Sequence, residues 1–187
     1  KGYQVKPLTS RFSNKGRALK DSLETKILDN EYYLRTPDDD LFSILLPNKL
    51  YPIAQYTNTT YVSPDLANGS YLMVNRIPTF SYLKKDYTYS LEDVDKLLFE
   101  NIPGKILEKR KIENGIYPGL DIKNQLKNGD FQRYHIYITP LEILIFKMSG
   151  HGDYVVKHSD TIFNSIQFKS LEKKRTVLFS QFDDFEV

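Results

Sequence analysis

The order of elements legible in the sequence predicts an α+β fold. Three observations carry that prediction. Strand-length segments rich in tyrosine and β-branched residues open the globular part. One amphipathic helix follows them. Then comes a run of segments separated by Asn-Gly and Thr-Pro turns, closed by a last helix. The strict strand–helix alternation of a doubly wound parallel sheet is absent, so a mostly antiparallel sheet is expected.

The elements read as follows. Residues 1–30 are polar and read as an extension or linker, with a short helix at about 16–27 from Ala18, Leu19, Leu23 and Ile27. Pro37-Asp38-Asp39-Asp40 is turn chemistry, and Leu41 to Leu46 is a short apolar strand ended by Pro47. "YPIAQYTNTTYV" (51–62) reads as one strand, "SPDLANGS" as a loop turning at Asn68-Gly69, and "YLMVNRIPTF" (71–80) as a further strand limited by Pro78. In "YSLEDVDKLLFENIPG", Ser90 is the N-cap and Glu92 and Asp93 sit in the first turn, where the helix dipole favours anions. Leu91, Val94, Leu97 and Leu98 make its apolar face, and Pro103-Gly104 stops it. In "KILEKRKIENG" (105–115), Ile106, Glu108, Arg110 and Ile112 share one parity, which favours a charged strand over a helix. A meander follows: a strand closing at Asn124 or Leu126, a turn at Asn128-Gly129-Asp130, a strand from Phe131 to Thr139, a turn at Thr139-Pro140, and a strand from Leu141 to Ser149. "SDTIFNSIQF" then reads as a helix capped by Ser159 or Asp160, with Ile162, Phe163 and Ile166 on its apolar face. From Lys169 the character changes. "FDDFEV" echoes "DDDLFSILLP", and 169–187 reads as a tail that begins a further element of a longer protein.

Composition narrows the function classes. The chain has 187 residues, room for one domain with extensions. Its 14 Tyr and 11 Phe against no Trp fit tyrosine-rich strands with one wet face. A net charge of +2 implies no general attraction to nucleic acid or anionic lipid. With no cysteine, disulfides, thiol catalysis and cysteine-ligated metal sites are excluded. No apolar run approaches the ~18 residues needed to span a bilayer; the longest, "LEILIF", is strand-length and carries Glu142.

Two groups of residues are candidates for chemistry. "SGHGDYVVKHSD" (149–160) holds His151, Asp153, His158 and Asp160, the one local cluster of ligand-type residues. Zinc needs three or four ligands, and the histidines here are seven apart, so only His135 could add a third through the fold. The competing and favoured reading is structural: Gly150 and Gly152 release the chain from a strand, and Ser159 or Asp160 caps a helix. The second group is Arg133, His135 and Tyr137, which share one face of "FQRYHIYIT" while Gln132, Tyr134, Ile136 and Ile138 share the other. Together they could bind an anionic or sugar-like ligand, or line a wet face, or pack under a helix with polar tips exposed. No G-x-S-x-G, Walker or dinucleotide loop occurs, and the three consecutive aspartates lack EF-hand spacing. "EKRKIE" and "LEKKR" read as solvated faces.

The stretch from Gly115 to Phe168 resembles the C-terminal half of PsbP/Mog1-like domains: a "YPGLDIK" strand, an "FQRYHIYIT" strand, an "EILIFKMSG" strand, a loop, and "DTIFNSIQF" with its Phe163-Asn164-Ser165-Ile166-Gln167-Phe168 ending. "DDDLFSILLP" is similar to the opening strand of those domains, so the resemblance covers about 31–168. It implies an α/β/α sandwich around a central antiparallel sheet, used for binding and assembly, with no catalytic set to carry over. The Lys-, Asn- and Tyr-rich, cysteine-free composition is similar in style to Bacteroidetes envelope proteins. The expectation is a non-enzymatic module of a larger secreted, periplasmic or cell-envelope protein, with a protein or envelope component as partner and no cofactor. The alternative is a metal-dependent or His/Asp hydrolase using 151–160.

Overall fold

The structure, a computed structural model, describes residues 32–55, 58–79, 89–99 and 101–169. The expected extension with its helix at 16–27 and the tail beyond Lys169 lie outside the described residues. In chain order the elements are β1 (Tyr33–Arg35), β2 (Phe42–Leu46), β3 (Tyr51–Gln55), β4 (Asn58–Asp65), β5 (Ser70–Pro78), α1 (Leu91–Phe99), β6 (Lys105–Asn114), β7 (Tyr117–Gln125), β8 (Phe131–Ile138), β9 (Glu142–Gly150), α2 (Tyr154–Phe163) and β10 (Gln167–Phe168).

Seven strands form one antiparallel sheet in the order β3-β4-β5-β9-β8-β7-β6. The hairpins between neighbours close where the turn chemistry demands. Gly115 and Gly129 take φ of 63° and 91°, the left-handed region that glycine enters at no steric cost. Thr139 closes the β8–β9 turn by donating its hydroxyl to Glu142 O at 2.9 Å and accepting from Glu142 N at 3.1 Å. The central position of β9 follows from its sequence: "ILIF" is apolar at both parities, as a strand covered on both faces must be.

Period-two alternation divides the side chains between two faces. On the first, Tyr61, Leu72, Val74, Leu144, Phe146 and Met148 meet Val155, Ile162 and Phe163 of α2 and Phe42, Ile44 and Leu46 of β2. Strand β2 sits in a second, three-stranded sheet, β1-β2-β10, so α2 and this small sheet lie side by side over that face. Edge-on aromatic pairs lock the layer, with Phe42 and Phe146 centroids 5.0 Å apart. On the second face Leu120, Ile122, Tyr134, Ile136, Ile143 and Ile145 pack against Val94 of α1. The fold is α+β: a central antiparallel sheet with a helix on each face.

Helix α1 starts as its sequence predicts. Ser90 Oγ accepts from Asp93 N at 3.2 Å, and Asp93 Oδ2 accepts from Ser90 N at 3.0 Å, a reciprocal capping box. Leu91 and Val94 face the sheet; the side chains of Leu97 and Leu98 lie outside the described residues.

Three sequence expectations change. The 51–62 segment is two strands, β3 and β4, rather than one, and β4 continues through Ser63 to Asp65 into the expected loop. Pro64 is tolerated because β3 pairs with β4 only as far as Val62, leaving no partner for the missing N–H on that side. In β6 the register shifts between Ile106 and Glu108, so Leu107 is a bulge. Ile106 therefore packs on the second face and Ile112 on the first, although their numbers share parity. The last helix begins at Tyr154 after Asp153, six residues before Asp160, and ends at Phe163. Ser159 and Asp160 are interior to α2 rather than its cap, and Gln167 and Phe168 are the strand β10. The buried stripe Val155, Ser159, Ile162, Phe163 has helical spacing, but its polar member disguised it.

Candidate functional site

Strand parity brings Arg133, His135 and Tyr137 to the first face, where α2 covers Arg133 and His135 and Phe168 of β10 packs on Tyr137. All three are buried, with the Arg133 side chain 2% exposed. A guanidinium keeps its charge at any ordinary pH, so burying one requires counter-charge. Asp121 of β7, directly opposite His135 in the register, supplies it. Arg133 Nε donates to Asp121 Oδ1 and Nη2 to Oδ2, both at 2.9 Å, a bidentate fork. Arg133 Nη1 donates to Ser159 Oγ at 2.9 Å and also to the carboxylate of Asp160, both on α2. Arg110 of β6 donates through Nε to Asp121 Oδ2 at 2.9 Å from the solvent side. One carboxylate thus joins three strands, and one arginine ties that junction to the helix above.

The electrostatics follow from this packing. Burial pushes the Asp121 carboxyl up, but His135 and the Arg133 fork outweigh it and hold the group well below the usual carboxylate range. His135 Nε2 stands 3.4 Å from Asp121 Oδ1 and makes no hydrogen bond, so the fork at 2.9 Å is the interaction that matters. Burial lowers His135 below the ordinary imidazole value, against the pull of Asp121. Its ring stacks on Phe163 at 4.4 Å, and its Nδ1 lies 3.1 Å from the Tyr137 hydroxyl. Burial raises the Tyr137 phenol.

Beside α2 the first face is open. A cleft of about 250 Å³ lies between α2 and strands β6, β7 and β8. Its walls are apolar, from Leu107, Phe131, Val155 and Val156; Glu108, Lys123, Ser159 and Asp160 give polar points, and Arg133 lies at the back. Glu108 and Lys123 face each other across the strands and pair at 3.0 Å. His135 lies deeper, against Phe163 of α2, and Tyr137 lies against Phe168 of β10; neither lines the cleft.

The 151–160 cluster is dispersed. His151 Nδ1 lies 3.0 Å from Asp130 Oδ1 in the β7–β8 turn. Asp153 pairs with Lys157 one helical turn on, at 2.7 Å. His158 Nδ1 lies 3.2 Å from the Tyr32 hydroxyl, and its ring lies against Tyr154. Among the described residues no group of three or more His, Cys, Asp or Glu side chains could hold a metal ion. The glycines act as the sequence implies: Gly152 has φ of 59°, and a Cβ on Gly150 would meet Ser70 at 2.8 Å. Asp39 of the acidic turn pairs with Arg76, which also forks onto Glu142 at 2.8 Å through both Nε and Nη2.

Sequence reasoning singled out Arg133, read Asp160 as a cluster member and Ser159 or Asp160 as a helix cap, and named Arg110 only for its strand parity; it missed Asp121 and the junction these residues form. One signal was available: Asp121 is a lone acid between Leu120 and Ile122, and a buried strand acid needs a cation on a neighbouring strand.

Fold and site together define an α+β sandwich with an ionic junction sealed beneath one helix and an amphipathic cleft beside it. No family model matches the chain, and no curated protein does. Among solved structures it is similar to the cyanobacterial PsbP protein (CyanoP) of Synechocystis sp. PCC 6803, at 11% identity and a TM-score of 0.48 over 74% of this chain and 92% of that one. It is also similar to PA94 of Pseudomonas aeruginosa, at 11% identity and a TM-score of 0.37 over 70% and 90% of the two chains. A Bacteroides thetaiotaomicron VPI-5482 structure shares 13% identity at a TM-score of 0.40, over 81% of this chain and 54% of that one. The first of these is a PsbP protein, the family that residues 115–168 resemble. Among the described residues no helix is long and apolar enough to cross a membrane.

Proposed function

We propose that the chain is a non-catalytic binding or assembly module of a larger secreted or cell-envelope protein, and that it engages a protein partner through the cleft beside α2. One observation carries this reading. Arg133 at the back of the cleft is committed to Asp121, Ser159 and Asp160, while the walls offer apolar surface at Leu107 and Val156, 49% and 58% exposed. A site of this kind binds by burying an apolar side chain with a few polar fixing points, and leaves no strong base beside a free nucleophile. The secreted or envelope setting rests on composition alone. Of the Arg133, His135 and Tyr137 set only Arg133 reaches the cleft, where it fixes Ser159 and Asp160 in the wall rather than pairing with the ligand.

The test is panning of a random peptide display library on the purified chain, with Val156→Asp and Leu107→Asp as counter-targets. Both positions are exposed, so both variants are expected to keep the wild-type melting temperature. Peptides with a large apolar residue are expected to bind the wild type, with affinity at least tenfold weaker in either variant. Peptides that bind both variants as well as the wild type would displace the cleft as the site. Turnover in a panel of ester, phosphate and glycoside substrates, abolished by His151→Ala/His158→Ala, would replace the binding reading with a hydrolytic one.

A further inference from the structure

The second face of the large sheet carries one charge that the chain leaves without a counter-charge. Neighbouring strands lie about 4.8 Å apart, so seven strands span roughly 29 Å, and one helix about 10 Å wide covers two or three of them. Helix α1 packs on β7, and Val94 shares a core with Ile136, Ile143 and Ile145. Among the described residues no second helix lies on this face. Toward its other edge the register sets Tyr51, Val62, Met73, Lys147 and Tyr134 in one row across five strands. Tyr51 is 52% exposed and Ile53, in the next row, 44%; Val62, Met73 and Lys147 are half-buried. Among the described side chains Lys147 is the one charge that β3, β4, β5 and β9 place on this face. Its ammonium lies over two tyrosine rings, 5.7 Å from the Tyr71 centroid and 5.8 Å from that of Tyr134. Among the described residues no carboxylate pairs with it. The rings hold the cation in the middle of an apolar row and do not neutralise it.

We infer that this part of the second face docks a helix of a partner protein, amphipathic and with one Asp or Glu inside its apolar stripe, whose carboxylate pairs with Lys147. Covering the row with a purely apolar layer buries an unpaired ammonium, which is costly. The layer that fits therefore brings a carboxylate to Lys147 and apolar groups to Tyr51, Val62 and Met73. The width from β9 to β3, about 15 Å, takes one helix beside α1. Tyrosine and methionine are residue types enriched where protein surfaces meet. Apolar burial supplies the attraction, and the ion pair selects the partner, since a helix lacking the acid leaves Lys147 stranded. A second copy of this chain does not meet the requirement, because a two-fold contact centred on Lys147 sets one lysine against another. Nucleic acid and anionic membranes are held by clusters of Lys and Arg, and a single cation is too few for either. The surface lies opposite the cleft beside α2 and does not depend on it.

The probe is a display library on a stable helical-bundle scaffold, one exposed helix face randomised, selected on the full chain. The chain contains no cysteine, so Ile53→Cys supplies a single thiol on this surface. That thiol is expected to react freely with a thiol reagent in the monomer, and selected binders are expected to slow the reaction at least about tenfold and to carry Asp or Glu between apolar positions. Lys147→Met keeps the apolar stem and removes the charge. It is expected to leave the melting temperature unchanged and to weaken those binders about tenfold or more. Replacing the binder's acid by its amide is expected to weaken binding to the wild type and to cost little against Lys147→Met. Binders that protect the thiol without an acid, or that hold Lys147→Met as tightly as the wild type, overturn the inference. So does the absence of any binder that protects the thiol. A thiol already shielded in the monomer overturns it by showing the face closed within the chain, and one shielded only in a sedimenting dimer assigns the face to a second copy.

Discussion

The two faces of the large sheet are built from the same seven strands but held in different ways. Beneath α1, Leu120, Ile122, Ile136, Ile143 and Ile145 meet Val94; the buried polar groups at the far end of that face, Asn124, Gln132, Ser149 and Tyr134, are neutral, and its charges stay exposed or half-buried, with Lys109–Asp95 and Lys111–Glu92 joining β6 to α1 and Lys147 lying over the Tyr134 ring. Beneath α2, the aromatic and aliphatic core gives way across β8 and β7 to a buried aspartate, a buried arginine and a buried histidine. Apolar burial is graded and tolerant of small changes in volume, whereas buried ions are costly unless every partner is present. The first face therefore fixes how α2 sits, and with it the shape of the cleft, while the second mainly excludes water.

Substitutions on the two faces break this comparison most directly. Arg133→Ala strands Asp121 in the interior and is expected to lose about 3–5 kcal/mol in urea unfolding. Ile136→Val on the opposite side of the same strand is expected to lose only about 0.5–1.5 kcal/mol. The double variant Asp121→Leu/Arg133→Met is expected to recover much of the first loss, since removing both ions removes the uncompensated charge. Equal losses for Arg133→Ala and Ile136→Val would mean that the ionic junction is not special.

Acidification sharpens the same contrast. Burial holds His135 below its ordinary value, so in the folded chain it stays neutral where the unfolded chain has begun to bind a proton near pH 6.5. Stability is therefore fully present above that pH and falls as pH drops toward the folded value. Asp121, also depressed, adds a further loss below about pH 4 as the unfolded carboxyl protonates first. Urea midpoints from pH 8 to 5 are expected to decline in the wild type and to flatten in His135→Phe, which keeps the stack on Phe163. The residual slope belongs to His158, also lowered by burial and also on α2. An unchanged slope in His135→Phe would remove His135 as the titrating group.

The smallest effect is confined to the dry face. Ser90→Ala removes the reciprocal cap of α1 and is expected to cost about 1 kcal/mol, with faster amide exchange in α1 and none in α2. Faster exchange in both helices would show that the two faces are not separate units of stability.

Much of the strand and turn pattern was legible in the residues. Asn-Gly, Thr-Pro and Asn-Gly-Asp turns placed the hairpins from β6 to β9, and Ser90 with Asp93 placed α1. The start of α2 was not legible. Tyr154-Val155-Val156 has strand-forming residues and Ser159-Asp160 imitates a cap, whereas Tyr154, Val155, Ser159 and Asp160 have partners that exist only across the fold. The bulge at Leu107 was hidden for the same reason: it is a property of the pairing with β7, not of β6. Arg133, His135 and Tyr137 were seen to share a face, but not that the face is sealed by a helix and neutralised by Asp121.

By itself the sequence determined local things: which segments alternate, where glycine and proline turn the chain, which side chains share a face, and that thiol chemistry is excluded. These follow from backbone sterics and period-two geometry within a few residues. The tertiary structure decided the strand order, the burial of Arg133 against a carboxylate twelve residues away in sequence, and the dispersal of His151, Asp153 and His158 to three different partners. Those outcomes depend on which surfaces meet, and a buried charge finds its partner by position in space rather than along the chain.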